Sequence, residues 1–544
     1  MVNLLQGIFV EIYEDEAYYA LFGAHLAWGY FDHPPMVALM TFLSSKLCVN
    51  NLGVRLLTVL VSCLTLWMLW LLLDERQPDH RKVGLFFILV ASIPMVNVYG
   101  FVTTPDVALL LFSALFLWAY RRYLQEKTWL NALWMGLLMG CMVYSKYHAV
   151  LFLGLIVLSN LSLLKELKFY VACLLALALL TPHLVWQVEA GFPSLKYHLL
   201  QRSQPFRMAY FLEYLPNQLL VFNPFTFGAA LYVLVRTRAE NEFERGLRLL
   251  LLGFLCFFWL MTFRGHVEPH WTIVAMIPMV VLIYRNALKN ERLRIYIRRF
   301  VFPSLLLVVL FRIAMLTPLS KPFGFYGKEA YYKAIETVAG DAPVAFRGSF
   351  QPPALYHYFT GKESATLRCY YDRKTQFDLW QFDTAWIGRP VFVCDEFGSL
   401  PKDYQVGEVR FRGFLAERFQ TANRLNIDFE LLNIPESPIP VLHHGDTIRM
   451  AFSIYNPCSK DLDFHHEPLD MCLKVMYLPS DDYSYCIFKD IDVFPARETY
   501  HGQLYSVIGE DVAPGRRRLT LGVGDRIATF VTNECFVEVE IAKE

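Results

Sequence analysis

Apolar residues run in long unbroken blocks through the first three fifths of the chain, and only beyond about residue 320 do short apolar stretches alternate with polar ones. A membrane-crossing helix needs about 20 mostly apolar residues. The runs that approach this length are roughly 54–73, 83–99, 107–120, 130–144, 150–164, 169–186, 214–235, 247–263, 273–284 and 300–316. Continuous runs exclude a membrane β-barrel, whose strands alternate. Several runs are short, so their helices must tilt or sit behind neighbours. The pattern predicts a mainly α polytopic membrane domain over residues 1–319, with about 10–11 transmembrane helices.

The rest reads as two soluble domains. Residues 320–404 mix a helix (328–339) with short strands (343–346, 390–394), which predicts a small α/β domain. Residues 405–544 read as strands at 449–455, 472–477, 485–490, 518–523 and 528–541. Turn signals such as Asn456-Pro457 and Pro514-Gly515 separate them, and a β-sandwich is expected.

Composition narrows the class. Apolar residues make up 55% and charged ones 18% of the chain, against roughly 25% charge in soluble domains. Disorder, collagen, coiled coil and nucleic-acid binding are excluded on that ground. The net charge of zero hides an asymmetry: residues 1–319 hold 26 Lys+Arg against 18 Asp+Glu, and residues 320–544 hold 24 against 32.

Orientation follows from where the cations lie. Loops 74–82, 121–127, 165–168, 236–248 and 285–299 carry 18 of the 26 basic residues in the first part. These are expected in the cytoplasm, which puts the intervening loops and everything after residue 316 outside it. Only about ten residues, MVNLLQGIFV (1–10), precede the first acidic residues, Glu11 and then Glu14-Asp15-Glu16. That is too short to span, so either the first helix is truncated or the start lies too far along the chain. Six of the eleven cysteines, at 369, 394, 458, 472, 486 and 535, fall in the soluble part. An extracytoplasmic side permits disulfides, but six cysteines allow 15 pairings. No C-x-x-C occurs to support a zinc ribbon.

Five polar motifs collect on the predicted outer side. Glu14-Asp15-Glu16 sets three carboxylates beside an aromatic stretch, suited to accepting a proton; acids at a helix start serve the dipole equally well. Asp32-His33 before Pro34-Pro35 can hold a hard cation or contact a phosphate; a proline-initiated turn is the plainer reading. Thr103-Thr104-Pro105-Asp106 is an N-cap or a second acid. In Ser145-Lys146-Tyr147-His148 the lysine opposes the basic-inside trend; it snorkels or pairs with a lipid phosphate. In Arg264–Trp271 the i, i+4 pair His266 and His270 suggests a chelate, which Pro269 disfavours by breaking the helix. His443-His444 and His465-His466 read as loop residues.

A transporter places such groups near the bilayer midplane. Here they gather at helix ends on one side, which suits an enzyme acting on a lipid headgroup. A polyprenyl-linked glycan flippase, or a membrane anchor for a binding module, are the alternatives.

The string DEAYYALFGAHLAWGYFDHPPMVALM (15–40) resembles the first extracytoplasmic loop of the family 39 glycosyltransferases, relatives of the protein O-mannosyltransferases and of the lipid A aminoarabinose transferase. VRLLTVL (54–60), TTPD (103–106), SKYH (145–148) and EPHW (268–271) follow in matching order, so the resemblance covers about residues 11–290. It implies a GT-C fold in a bacterial inner membrane. It also implies a polyprenyl-phosphate monosaccharide donor and an extracytoplasmic hydroxyl acceptor on a protein, lipid or glycan. No nucleotide or redox cofactor is expected. By the same resemblance Asp15 is the catalytic base with Glu16 beside it, and Asp32 is linked to a divalent metal. His33, Lys146 and His270 contact the donor phosphate, and Asp106 and Tyr30 are acceptor or supporting residues, Asp106 positioning the acceptor or holding the metal. His33 stands where the aminoarabinose branch has a lysine, and the family's first helix is absent or cut short.

Overall fold

Each of the ten apolar runs folds as helix. The computed structural model describes residues 1–202, 206–367, 374–395, 402–421, 424–434, 439–463, 471–478, 483–487, 493–525 and 535–542. Among them, five helices are long and apolar enough to cross a membrane: Asn50–Leu73, Pro105–Gln125, Leu167–Glu189, Glu242–Arg264 and Pro269–Lys289. The last is the most enclosed, with 78% of its apolar window buried, whereas Leu167–Glu189, with 22% buried, is the least enclosed of the five. Met36–Leu47, Trp129–Ser145 and Ala149–Ser159 are shorter apolar helices.

The run at 214–235 departs from the expected single span. It is a pair, Met208–Phe222 and Pro224–Arg236, bent by 102°. The residue before a proline disfavours the helical region, and Asn223 takes φ 67°. Its side chain caps Phe225 N–H at 3.0 Å and donates to Ser304 Oγ at 2.7 Å, which fixes the corner. The run at 83–99 likewise splits, into His80–Ala91 and Pro94–Val98.

The chain forms two units, Met1–Lys328 and Glu329–Glu544. In the first, the basic loops meet at one end of the helices. Lys127 pairs with Glu166 at 2.6 Å and Lys289 with Glu240 at 2.5 Å. Arg121 pairs with Asp74, and Arg245 Nε donates to the Ser159 carbonyl at 2.7 Å. The five polar motifs lie at the other ends of the same helices. This sorting is what the cation pattern predicts for a multi-pass membrane protein.

The second unit opens with the helix Lys328–Ala339, whose first residue closes the membrane unit. The strands are β1 (Val344–Arg347), β2 (Ser364–Leu367), β3 (Val391–Asp395), β4 (Lys402–Val406) and β5 (Val409–Ala416). They form one sheet in the order β2-β1-β3-β5-β4. β6 (Asn426–Leu431), β7 (Val441–Leu442), β8 (Thr447–Tyr455), β9 (Leu462–Asp463) and β10 (Met471–Leu478) follow. The last are β11 (Tyr483–Ile487), β12 (Val493–Phe494), β13 (Thr499–Val507), β14 (Gly515–Asp525) and β15 (Phe536–Ile541). The sheets β13-β8-β6 and β11-β10-β14-β15-β7 pack over one apolar core that includes Met450, Ile454, Leu521 and Val539, so this part is a β-sandwich. Strand ends predicted at 488–490 and 528–534, and the pair His465-His466, lie outside the described residues, as does Cys369. Cys458 is buried as a free thiol, and Cys535 Sγ lies 3.2 Å from Asp428 Oδ1.

Candidate active site

The three adjacent acids at 14–16 start the helix Glu14–Ala24. Successive helical residues point about 100° apart, and each acid meets a different environment. Glu14 Oε1 pairs with Lys328 Nζ at 2.7 Å. Glu16 is fully buried and reaches back as the capping-box residue, accepting the Tyr13 N–H at 2.9 Å. It also accepts Thr103 N–H at 2.8 Å, Arg55 Nε at 2.8 Å and Arg55 Nη2 at 2.5 Å. Four donors on two oxygens occupy Glu16 as a structural anchor. Arg55 spends its other donors on Val10 O (2.6 Å) and Glu11 O (2.9 Å), tying the first loop to the helix Asn50–Leu73.

Asp15 is half-buried, and its charge reaches Tyr13, Tyr19 and Tyr99. Tyr19 is the hub. Burial holds its phenol well above the usual value, and the charges of Asp15, Asp32 and Asp106 add to the effect. Its hydroxyl lies 3.2 Å from His33 Nε2. Tyr13 is pushed up to about 12, by burial first and then by Asp15, Glu14 and Glu268. Loops far apart in sequence therefore face one space.

Asp32 is buried, and its carbonyl accepts from His198 Nε2 at 3.1 Å. Burial lowers the His198 pKa from its ordinary value, which favours the neutral ring. Asp106 sits in the first turn of Pro105–Gln125 and binds Lys146 Nζ through both oxygens, at 2.8 and 2.7 Å. Tyr99 OH donates to the same carboxylate at 3.5 Å. The His270 ring packs edge-on against Tyr99, and Lys146, Asp106, Glu268 and Arg202 are its charged neighbours. Tyr30 is elsewhere. It is fully buried, stacks on Phe22 at 4.0 Å, and donates to the Phe22 carbonyl at 2.9 Å, so it braces the turn of the first loop.

Asp15, Asp32, His33, Asp106, Lys146 and His270 thus gather at one end of the helices, while Glu16 and Tyr30 are used in holding the frame. Sequence reasoning assigned no role to four further residues. Arg55 was legible as a lone arginine inside an apolar run, where burial is expensive. Arg202 stacks on Trp271 at 4.0 Å and lies 3.5 Å from Glu268, adding a cation beside His270. His198 and Tyr19 carried no local signal.

A protein-held divalent ion needs several converging oxygen or nitrogen donors. Among the described residues no three His, Cys, Asp or Glu side chains gather in that way. Asp32 belongs to no cluster of that kind among the described residues.

Residues 32–186 match the profile of the family described as dolichyl-phosphate-mannose-protein mannosyltransferase. No curated protein matches the chain in sequence. In fold it is similar to ArnT from Cupriavidus metallidurans in the apo state, with 14% identity and a TM-score of 0.57 over 75% of this chain and 95% of that one. The same protein bound to undecaprenyl phosphate gives 13% identity and 0.56 over the same shares.

Proposed function

We infer that this chain, a membrane glycosyltransferase of GT-C fold that resembles the protein mannosyltransferases and ArnT, moves a monosaccharide from a polyprenyl phosphate to a hydroxyl on the outer side of a bacterial inner membrane. The observation that supports the reading is the buried pair of Lys146 with Asp106 at 2.7 Å, joined by Tyr99 on the same carboxylate, at the helix ends that also carry Asp15 and Asp32. Carboxylates and cations side by side suit a reaction that removes a proton at one point and releases a phosphate at another. ArnT binds undecaprenyl phosphate, which supports a carrier of that class here.

Asp15 accepts the proton of the acceptor hydroxyl as its oxygen attacks the anomeric carbon. The bond from that carbon to the phosphate oxygen breaks, its electron pair stays on the phosphate, and the configuration inverts. Lys146 has three N–H donors, of which Asp106 takes two; the third, with His270 and Arg202, meets the charge that develops on the leaving phosphate. His33, held by Tyr19 and next in sequence to Asp32, positions the headgroup. Glu16 acts through the loop: its four hydrogen bonds fix the helix turn that carries Asp15.

Mass spectrometry of envelope lipids and glycoconjugates from a deletion strain tests this. Accumulation of one polyprenyl-phosphate sugar with loss of one conjugate is expected. An unchanged conjugate profile, or lipid movement without sugar transfer in liposomes, contradicts it.

A further inference from the structure

Arg312 is a cation set in an apolar helix. That helix, Phe302–Ala314, leaves the basic segment 285–299. Arg312 stands two residues before its far end, about 3 Å short of the side opposite the basic loops. An ionisable side chain at membrane depth is expensive and calls for a partner. Among the described residues no carboxylate pairs with this one. Two neutral amides hold it instead: Nη1 donates to Asn97 Oδ1 at 3.0 Å and Nη2 to Asn3 Oδ1 at 2.6 Å. Nε is buried and has no hydrogen-bond partner. A guanidinium has five N–H donors and keeps its charge, so donors and charge are both left over. An arginine that merely snorkels sends its head to water; this head is clamped between two amides.

Arg312 lines a cavity of about 390 Å³, within the range of about 300–1,000 Å³ usual for a small-molecule site. Arg312, Asn3 and Asn97 supply polar wall, while Leu66, Phe87 and Leu110 are among the apolar side chains that line the rest. Phe87 and Cys63 also line it and are exposed on the side of apolar helices, so the cavity opens where lipid chains lie.

A lone cation beside apolar walls selects an anionic amphiphile. Phosphate oxygens accept charge-assisted hydrogen bonds from a guanidinium, and an acyl chain covers the apolar side chains. A free anion would leave those walls uncovered, and an uncharged amphiphile would leave the buried charge unpaired.

We propose that this cavity binds an anionic phospholipid, whose phosphate meets Arg312 and whose acyl chain lies along the apolar walls. Tyr99 is shared with the reacting centre: it lines the cavity, and its hydroxyl donates to Asp106. The two sites use different cations, Arg312 here and Lys146 there. The proposal rests on the cavity and its arginine, not on the roles given to Asp15 or Lys146.

Native mass spectrometry of the purified full chain tests it, with titrations of phosphatidylglycerol, phosphatidylcholine, undecaprenyl phosphate and inorganic phosphate. One phosphatidylglycerol should bind at least tenfold more tightly than phosphatidylcholine. Arg312→Gln should remove that preference while undecaprenyl phosphate binding stays within about twofold. Ala91→Phe, at another lining position, narrows the cavity and leaves the arginine in place. It should weaken phosphatidylglycerol at least tenfold, so the answer does not hang on the stability of the arginine variant. Lys146→Met should bind phosphatidylglycerol as wild type, which separates failure of this site from failure of the donor site. Four results overturn the proposal. They are no preference for phosphatidylglycerol, inorganic phosphate bound as tightly as the lipid, undecaprenyl phosphate lost together with phosphatidylglycerol in Arg312→Gln, or binding unaffected by both cavity variants.

Discussion

Arg55 and Glu16 form an ion pair with no solvent exposure on either side chain, and the same arginine holds the backbone on the other side of the first loop through Val10 and Glu11. Asp15 therefore sits on a turn fixed from two sides. Removing one partner of a buried pair leaves an unpaired charge and costs about 3–5 kcal/mol, while replacing both can be nearly neutral. Arg55→Met alone should sharply lower the melting temperature in detergent. Arg55→Met with Glu16→Leu should recover part of that loss; a double variant equal to the sum of the singles contradicts the coupling.

Lys146 is already paired with Asp106 before any lipid arrives. Lys146→Met should weaken undecaprenyl phosphate binding at least tenfold. Asp106→Asn should do the opposite, because the freed ammonium holds phosphate more tightly and releases product more slowly. Equilibrium binding and single-turnover transfer measured on both variants check the opposite signs.

Arg202 owes its position to the face of Trp271. Planar stacking is a property of guanidinium that lysine lacks. Arg202→Lys should therefore lose nearly as much donor affinity as Arg202→Ala, and Trp271→Ala should reproduce the loss. Full rescue by lysine in a binding titration would show that charge alone matters.

His198 gives a pH signature. Burial depresses its pKa; the Arg202 and Lys146 charges add to that, and the hydrogen bond and charge of Asp32 oppose it. The unfolded chain then binds the proton more readily than the native one, so this group's contribution is present above the ordinary histidine value of about 6.5 and is lost as pH falls below it. His198→Gln should flatten the melting temperature between pH 7 and pH 5 relative to wild type. An unchanged slope contradicts it.

Helices were legible in the sequence because apolar runs are long and continuous; the bend at Asn223-Pro224 was also written there, as an Asn-Pro step inside a run. The gathering of acids and cations at one end followed from charge placement. What the sequence could not separate was Glu14, Asp15 and Glu16. As neighbours they look alike, yet the helical period turns Glu14 to Lys328 and Glu16 to Arg55 and leaves Asp15 half-buried between them, and the partners lie as far as 314 residues away. Tyr30 misled for a similar reason: its motif is distinctive, but its hydroxyl is spent on the carbonyls of its own loop.

The central claim is that Asp15 takes the acceptor's proton. The most direct measurement compares Asp15→Asn with wild type in one purified preparation, reading both undecaprenyl phosphate binding and the rate of sugar transfer. A general base contributes about 10²–10⁴-fold, so transfer should fall by that factor while binding stays within about twofold. Transfer at near wild-type rate would contradict the account.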